Sequence, residues 1–323
     1  MGKYILKRLG LMIVSLFIIM TMLFVLIRLL PNPVVEVQGG YAEQLKAMRE
    51  AWGYYDPIIV QYGIFLKNVF TSWDWGFCTT VGTFLQPVTT YIVNKLPATL
   101  YVNVLSLVIS MPTGIIFGML AAIFKNHWQD QLINVFIMIF ISVPSFVYAF
   151  LLQYIVGFKL GLCPLVMESG YDYFSWTMFH SAIMPILALS FGTIAGDMRL
   201  VRAELSETLT TDYMLLARTK GLTRKQATFR HAFRNSMVPL MPTFMSDVIY
   251  VISGSMIIEQ IFAVPGIGKT YVLSISNRDY SVFMAISMFY VVIGLVAGLI
   301  FDLSYGMIDP RIRMGGGKTN ELS

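Results

Sequence analysis

Long apolar stretches alternate with shorter polar ones along the chain. Residues 9–27 carry no charged side chain, and as a helix they would be about 28 Å long, enough to cross the hydrocarbon core of a bilayer. Further apolar stretches cover residues 96–124, 132–158, 181–196, 236–258 and 280–301. Pro144 lies within the third stretch, where a spanning helix tolerates proline. The pattern predicts an all-α membrane protein with six transmembrane helices.

The polar stretches divide the chain into segments. Residues 31–95 mix tryptophan, tyrosine, glycine and both signs of charge, so they are too polar to cross a membrane and long enough to fold as a small insertion. We therefore distinguish an N-terminal tail with the first helix (1–30), an extracytoplasmic insertion (31–95), a five-helix core (96–306) that contains the polar loop 197–235, and a C-terminal tail (307–323).

The basic residues orient these segments. Of the 23 lysines and arginines, 15 would lie on the side of the two termini and of loop 197–235, and 8 on the other side. Because basic residues are enriched in cytoplasmic loops, both termini and loop 197–235 are predicted to be cytoplasmic.

Composition agrees with a membrane protein. Hydrophobic residues make up 56% of the chain and charged residues 13%, against about 25% charged residues in a typical soluble domain. The net charge of +5 comes from loops beside apolar stretches, so we expect no nucleic-acid partner. Cys78 and Cys163 would both lie outside the cell, where a disulfide between them and two free thiols are both allowed. No Cys/His cluster predicts a metal site.

Loop 197–235 carries the signature of two short helices joined by a glycine turn. Thr211 or Asp212 suits the N-cap of the first helix, which would end at Gly221 in the left-handed conformation. Thr223 followed by Gln226 forms a capping-box pattern that begins the second helix. We call residues 211–226 the elbow. It could transmit a push from a cytoplasmic partner to the spanning helices, or it could rest as a basic surface on anionic lipid.

Several sequence motifs resemble the B-type permease subunit of dipeptide/oligopeptide ABC importers, along essentially the whole chain. The motifs are WDWG at 73–76, LPATL at 96–100, YMLLARTKGL at 213–222, RHAFRNSMVP at 230–239, FAVPGIG at 262–268 and DPRIR at 309–313. The chain departs from the family at Leu215 and Leu216, where the broad pattern has Glu-Ala, and at Pro31-Asn32-Pro33, where the family has Pro-Gly-Asp-Pro.

The resemblance implies the type I permease fold of ABC importers in a bacterial plasma membrane. It implies a second homologous permease, two cytoplasmic ATPase subunits and an extracytoplasmic substrate-binding protein as partners. The chain itself would be no enzyme and bind no cofactor, because ATP and magnesium would be used by the ATPase subunits. The residues it places in the ATPase-coupling loop are Asp212, Tyr213, Ala217, Arg218, Lys220, Gly221 and Leu222.

The remaining polar and glycine motifs give weaker predictions. Asp247 lies inside the fifth apolar stretch, where a charge is costly unless it faces a cavity or a partner, so it is a candidate for the translocation path. The segment 263–270 has the relaxed spelling of a phosphate loop, but it follows a spanning helix on the outer side, so we interpret it as a structured turn. The spacings of Gly114 and Gly118 and of Gly294 and Gly298 are most simply explained by helix packing within one chain.

The substrate and two rival classes of protein stay open at this level. The same family also serves nickel complexes, glutathione and other small solutes. An ion-driven secondary carrier commonly has two repeated halves, and we find no such repeat in the sequence. A membrane-embedded enzyme needs converging acids, bases or metal ligands, whereas the apolar stretches offer Asp247 and, at an end, Asp302.

Overall fold

The computed structural model describes residues 2–31, 40–170 and 172–308. Within these ranges the protein is helical, and no β-strand forms beyond an isolated antiparallel bridge between Phe77 and Pro87. The DPRIR motif, most of the predicted tail and the Asn32-Pro33 departure lie outside the described residues.

The α-helices are joined by short π-helical and 3₁₀ segments. In chain order they are α1 (Gly2–Leu29), α2 (Gly40–Ala51), α3 (Ile58–Ser72), α4 (Val88–Ile123), α5 (Trp128–Ser142), α6 (Ser145–Leu152), α7 (Trp176–Thr208), α8 (Asp212–Thr219), α9 (Arg224–Ala227), α10 (Phe233–Met237), α11 (Met241–Tyr250), α12 (Met256–Ile261), α13 (Ile267–Ser276) and α14 (Tyr280–Ile308). The π-helical segments are Gln153–Lys159 and Thr228–Ala232, and the 3₁₀ segments are Val238–Leu240 and Val251–Ser253.

The predicted multi-span all-α architecture is confirmed. In the described chain, five helical stretches are long and apolar enough to cross a membrane, and a bent helix pair raises the number to six if it counts as one span. The stretches are Ile5–Leu29, Val88–Ile123, Trp176–Thr208, Arg224–Ile261 and Tyr280–Leu303. The second begins at Val88 rather than at residue 96, so its helix starts within the predicted insertion.

The third predicted span is not a single helix, and this expectation was wrong. Helix α5 and the stretch Ser145–Lys159 meet at an angle of 102°. Val143 takes an extended conformation with φ −89° and ψ 126°, and Pro144 begins the next helix. The physical reason is that the proline ring disfavours a helical conformation for the preceding residue and removes a backbone donor.

The fifth predicted span is also interrupted. Gly254 has φ +69°, in the left-handed region, and it separates the 3₁₀ segment Val251–Ser253 from α12. Ser255 then caps α12, since its side-chain oxygen accepts a hydrogen bond from the Ile258 N–H at 3.4 Å. The apolar composition of this stretch did not reveal the break in the helix at this glycine.

The chain divides into two compact units. The first unit contains residues 2–100 and 252–295. Its core is rich in aromatic side chains, among them Phe24, Trp52, Phe65 and Phe77. The carboxylate of Asp279, just before α14, is fully buried and accepts hydrogen bonds from three successive backbone N–H groups, those of residues 79, 80 and 81, at 2.7, 2.9 and 3.1 Å. This carboxylate fixes the end of the insertion to the start of the last helix.

The second unit contains residues 101–251 and the chain from residue 296. Helix α7 lies at its centre and packs against α5, α6 and α10. Arg202 of α7 binds Asp130 of α5 through two hydrogen bonds, with Nε 2.6 Å from Oδ1 and the second guanidinium nitrogen 2.9 Å from Oδ2. Such a bidentate pair fixes orientation as well as distance.

Gly114 and Gly118 allow α4 to approach α7 within this unit. A Cβ added to Gly118 would lie 2.8 Å from the Cβ of Val201, and one added to Gly114 would lie 2.4 Å from the Cβ of Asp197. Packing of this glycine pair within one chain is therefore confirmed, and a larger residue at either position would separate the two helices.

Candidate functional site

The elbow folds as its sequence predicted. Thr211 is the N-cap residue of α8, although its hydroxyl donates to the carbonyl of Thr208 at 2.7 Å rather than capping α8. Thr223 and Gln226 form a complete capping box at the start of α9. The Thr223 N–H donates to Gln226 Oε1 at 3.1 Å, and the Gln226 N–H donates to Thr223 Oγ1 at 3.3 Å. Both ends of the connection between α8 and α9 are thus fixed by local hydrogen bonds.

A glycine in the left-handed conformation ends α8. Gly221 has φ +92°, its N–H donates to the Arg218 carbonyl at 3.0 Å, and the Leu222 N–H donates to the Ala217 carbonyl at 3.3 Å. This is the hydrogen-bond pattern of a Schellman motif, and the accompanying apolar contact comes from Leu222 beside Ala217. Because any side chain would strain this backbone conformation, the position requires glycine.

The inner face of α8 packs against the second unit. Met214 and Ala217 are buried in a cluster with Ala122 at the end of α4 and Leu205 near the end of α7, and Leu222 packs against the same cluster. Two residues of the predicted coupling set, Ala217 and Leu222, therefore hold the elbow in place instead of facing outward.

The outer face of α8 combines apolar and charged side chains. Asp212, Tyr213, Arg218, Lys220 and Gly221 are exposed. Leu215 and Leu216 are also exposed, by 64% and 54%. Sequence reasoning treated these leucines only as departures from a family pattern. The signal that could have found them is helical spacing, since they lie off the stripe formed by Met214 and Ala217.

Asp247 lines a polar cavity inside the second unit. The cavity has a volume of about 140 Å³, and its walls come from α4, α7 and the fifth span. Its polar lining residues are Asn103, Ser106, Ser110, Thr193, Asp247 and Tyr250. Ser106 and Ser190 are hydrogen-bonded across α4 and α7, with their hydroxyl oxygens 3.0 Å apart.

Asp197 was missed by the sequence reasoning. The predicted fourth span ended at residue 196, which assigned Asp197 to a polar loop, but α7 continues to Thr208. Its side chain is only 3% exposed, and Oδ2 has no hydrogen-bond partner among the described residues. Asp197 and Asp247 are close enough for their charges to interact. A span boundary placed one residue later would have included this second acid.

The phosphate-loop spelling at 263–270 belongs to a turn built on a buried carboxylate. Glu259 is 1% exposed, and its oxygens accept hydrogen bonds from Thr99 Oγ1 at 2.9 Å and the Lys269 N–H at 3.0 Å. Thr99 Oγ1 in turn accepts from the Ile267 N–H at 2.8 Å. A Cβ on Gly266 would lie 2.4 Å from Thr99 Oγ1. The backbone N–H groups of Ile267 and Lys269, which a phosphate loop would offer to a phosphate, donate instead to Thr99 and Glu259. The negative carboxylate beside them also disfavours a phosphate.

Both cysteines are free thiols in the structure, so of the two alternatives left by the sequence it contains no disulfide between Cys78 and Cys163. Burial, with a smaller contribution from the nearby Asp279 charge, raises the pKa of the Cys78 thiol to about 12. Burial also raises the pKa of the Cys163 thiol. In the described part of the chain, no group of three or more His, Cys, Asp or Glu side chains is arranged to hold a metal ion.

Comparison with known proteins places the chain in a family. Residues 114–314 match the model of the binding-protein-dependent transport system inner membrane component, and residues 1–103 match the N-terminal model of the same group. The dipeptide transport system permease protein DppB of Lactococcus lactis subsp. cremoris is 37% identical over 97% of this chain and 100% of its own length.

A longer curated relative and one solved structure also match this chain. The oligopeptide transport system permease protein OppB of Mycoplasma genitalium is 32% identical over 100% of this chain and 79% of its own. Among solved structures, an amino acid ABC transporter with histidines aligns with 67% of this chain and 92% of its own, at 18% identity and a TM-score of 0.49. From the family matches, the chain belongs to the binding-protein-dependent transport system inner membrane components, the multi-pass permease subunits of ABC importers in the bacterial plasma membrane.

Proposed function

We propose that this chain is the B-type permease subunit of an ATP-driven importer of di- or oligopeptides, with the type I fold of such importers. The observation that supports the peptide substrate is the 37% identity to a dipeptide permease over the full length of that relative. The oligopeptide permease matched over the whole of this chain supports the same substrate class. Nickel complexes, glutathione or another small solute are the alternatives that an uptake experiment must exclude.

The proposed complex contains a second homologous permease, two ATPase subunits and an extracytoplasmic binding protein. ATP and magnesium are bound and used by the ATPase subunits, and this chain breaks no bond. Both termini and the elbow face the cytoplasm, as the distribution of basic residues favours. The insertion with α2 and α3 lies on the opposite side and receives the binding protein.

The elbow transmits the movement of the ATPase subunits to the spanning helices. Its outer face offers Leu215 and Leu216 among charged side chains, a surface that fits a groove with an apolar floor and polar rims. Its inner face holds Met214 and Ala217 against the ends of α4 and α7. Because both sides of the connection between α8 and α9 are fixed by hydrogen bonds, a displacement of α8 moves those helix ends instead of bending the connection.

Transport by the complete complex tests this function. The two permeases, the ATPase subunits and the binding protein, reconstituted in proteoliposomes, are expected to accumulate radiolabelled Ala-Ala only with ATP inside. Uptake driven by an ion gradient without ATP, or uptake of nickel or glutathione without any peptide uptake, would contradict the proposal.

Leu216→Glu tests the elbow in the same vesicles. A charge on the outer face of α8 should lower peptide uptake at least about 10-fold, since it must be desolvated at an apolar contact. Leu162→Glu is the matched control, because Leu162 is 60% exposed, similar to Leu216, and lies outside the elbow. Equal peptide uptake by Leu216→Glu and Leu162→Glu would show that the outer face of the elbow has no special role in transport.

A further inference from the structure

The cavity in the second unit has the composition of a cation site. Its polar side chains are hydroxyls, amides and the carboxylate of Asp247, and no Lys, Arg or His side chain lines it. A cavity needs roughly 10–15 Å³ to hold one water molecule. The volume of about 140 Å³ therefore has room for a small cationic group together with water molecules. The lining therefore offers oxygen acceptors and one negative charge to whatever enters.

Asp197 adds a second negative charge along the same seam. It follows Thr193 by one helical turn on α7, and Gly114, which lies against it, follows Ser110 by one turn on α4. Thr193 and Ser110 both line the cavity. The seam between α4 and α7 thus continues from the cavity to a carboxylate that is 97% buried with one unpartnered oxygen.

Neither carboxylate has a basic partner within the part of the chain that the structure describes. Two arginines follow Asp197 on α7: Arg199 forms no ion pair among the described residues, and Arg202 is engaged with Asp130. No ion pair involves Asp197 or Asp247 among the described residues. Two interacting acids without a cation are costly inside a membrane protein, and such residues commonly mark a substrate or ion pathway.

We infer that Asp247 binds an ammonium group of the peptide as it passes through the permease, and that the charge of Asp197 adds to the negative potential there. This inference rests on the proposed peptide transport. An ammonium group has three donors, which match the Asp247 carboxylate and the hydroxyl and amide oxygens of the cavity. The amino terminus of a peptide, with an ordinary pKa of about 7.7–8.0, is mostly charged at neutral pH and supplies such a group even when the side chains are apolar.

Direct binding to the complete membrane complex tests the inference. The importer is placed in nanodiscs without its binding protein, and binding of radiolabelled Ala-Ala is measured at equilibrium. N-acetyl-Ala-Ala lacks only the ammonium group and should compete at least about 10-fold less well than Ala-Ala. N-acetyl-Lys-Ala has only the side-chain ammonium, so its competition shows whether the site takes that group as well as the amino terminus.

Substitution of Asp247 and of Asp197 tests whether these two acids are responsible for the binding of Ala-Ala. Asp247→Asn is expected to weaken Ala-Ala binding at least about 10-fold, and Asp197→Asn should do so as well if that variant folds. Glu168→Gln removes the same charge from an exposed position of the same unit and should bind like the wild type.

The outcomes separate the inference from the proposed function. Wild-type affinity in Asp247→Asn, equal competition by N-acetyl-Ala-Ala, or no binding to a complex that transports Ala-Ala would each overturn the ammonium site. Each of these leaves peptide transport standing, because uptake is measured independently in vesicles. A complete complex that transports no peptide would overturn the proposed function and this inference together.

Discussion

At the scale of single residues, buried carboxylates organise backbone that carries no regular structure of its own. Asp279 accepts hydrogen bonds from three successive N–H groups of the insertion. Glu259 accepts hydrogen bonds from the Thr99 hydroxyl and from an N–H group of the 263–269 turn. Hydrogen bonds to a charged group are stronger than neutral ones, so each carboxylate can fix the turn whose donors it accepts from.

The hydroxyl of Thr99 should be essential to the turn after α12. Thr99→Val removes both the donor to Glu259 and the acceptor for the Ile267 N–H, leaving buried polar groups without partners. We expect a loss of about 1–3 kcal/mol in the free energy of unfolding, measured as a lower Tm of the purified complex. Thr99→Ser keeps the hydroxyl and should retain most of the stability. An unchanged Tm for Thr99→Val would show that the network contributes nothing.

At the scale of elements, helix-capping hydrogen bonds determine how rigidly α8 and α9 are held in the elbow. Helix α8 has only 8 residues and would be marginal alone. The Schellman motif at Gly221, the capping box at Thr223 and the buried Met214 together hold it at a fixed angle to α9. The elbow is therefore a product of local sequence signals, completed by the packing of α8 in an apolar cluster.

Gly221→Val should uncouple ATP hydrolysis from transport. A β-branched residue in the left-handed region costs roughly 1–2 kcal/mol or more, although an added Cβ at Gly221 meets no atom within 4 Å. We expect stimulated ATPase activity with a severalfold lower ratio of peptide imported to ATP hydrolysed.

Gly10→Ala is the control for this substitution, because Gly10 lies in the middle of helix α1, where alanine is favoured and an added Cβ also meets nothing within 4 Å. An unchanged coupling ratio in Gly221→Val would mean that the left-handed turn does not matter for coupling.

At the scale of the whole molecule, orientation in the membrane decides what each surface can do. The basic residues favour a cytoplasmic elbow and cytoplasmic termini. The broken pair around Pro144 and the interrupted fifth span show that apolar length alone does not define a straight crossing. The orientation of the elbow must therefore be measured directly.

Labelling of Lys220→Cys measures that orientation. Lys220 is exposed at the end of α8, so a cysteine there should react with a membrane-impermeant maleimide only after the cytoplasmic face is opened. The native thiols give a low background, since the raised pKa of Cys78, about 12, leaves little reactive thiolate near pH 7.5 and the pKa of Cys163 is also raised. Labelling of intact cells at Lys220→Cys would contradict the cytoplasmic elbow and the mechanism built on it.

The sequence by itself determined the all-α membrane class, the family, and the local signals of the elbow, because hydrophobic length, capping residues and glycine turns act over a few residues. The tertiary structure decided the rest. It bent the third span at Pro144, joined the LPATL and FAVPGIG motifs through Thr99 and Glu259, and turned Ala217 inward and Leu216 outward. It also brought Asp197 and Asp247, two acids 50 positions apart in the sequence, close enough for their charges to interact. Such contacts depend on how helices pack against one another, and no local pattern of residues specifies that packing.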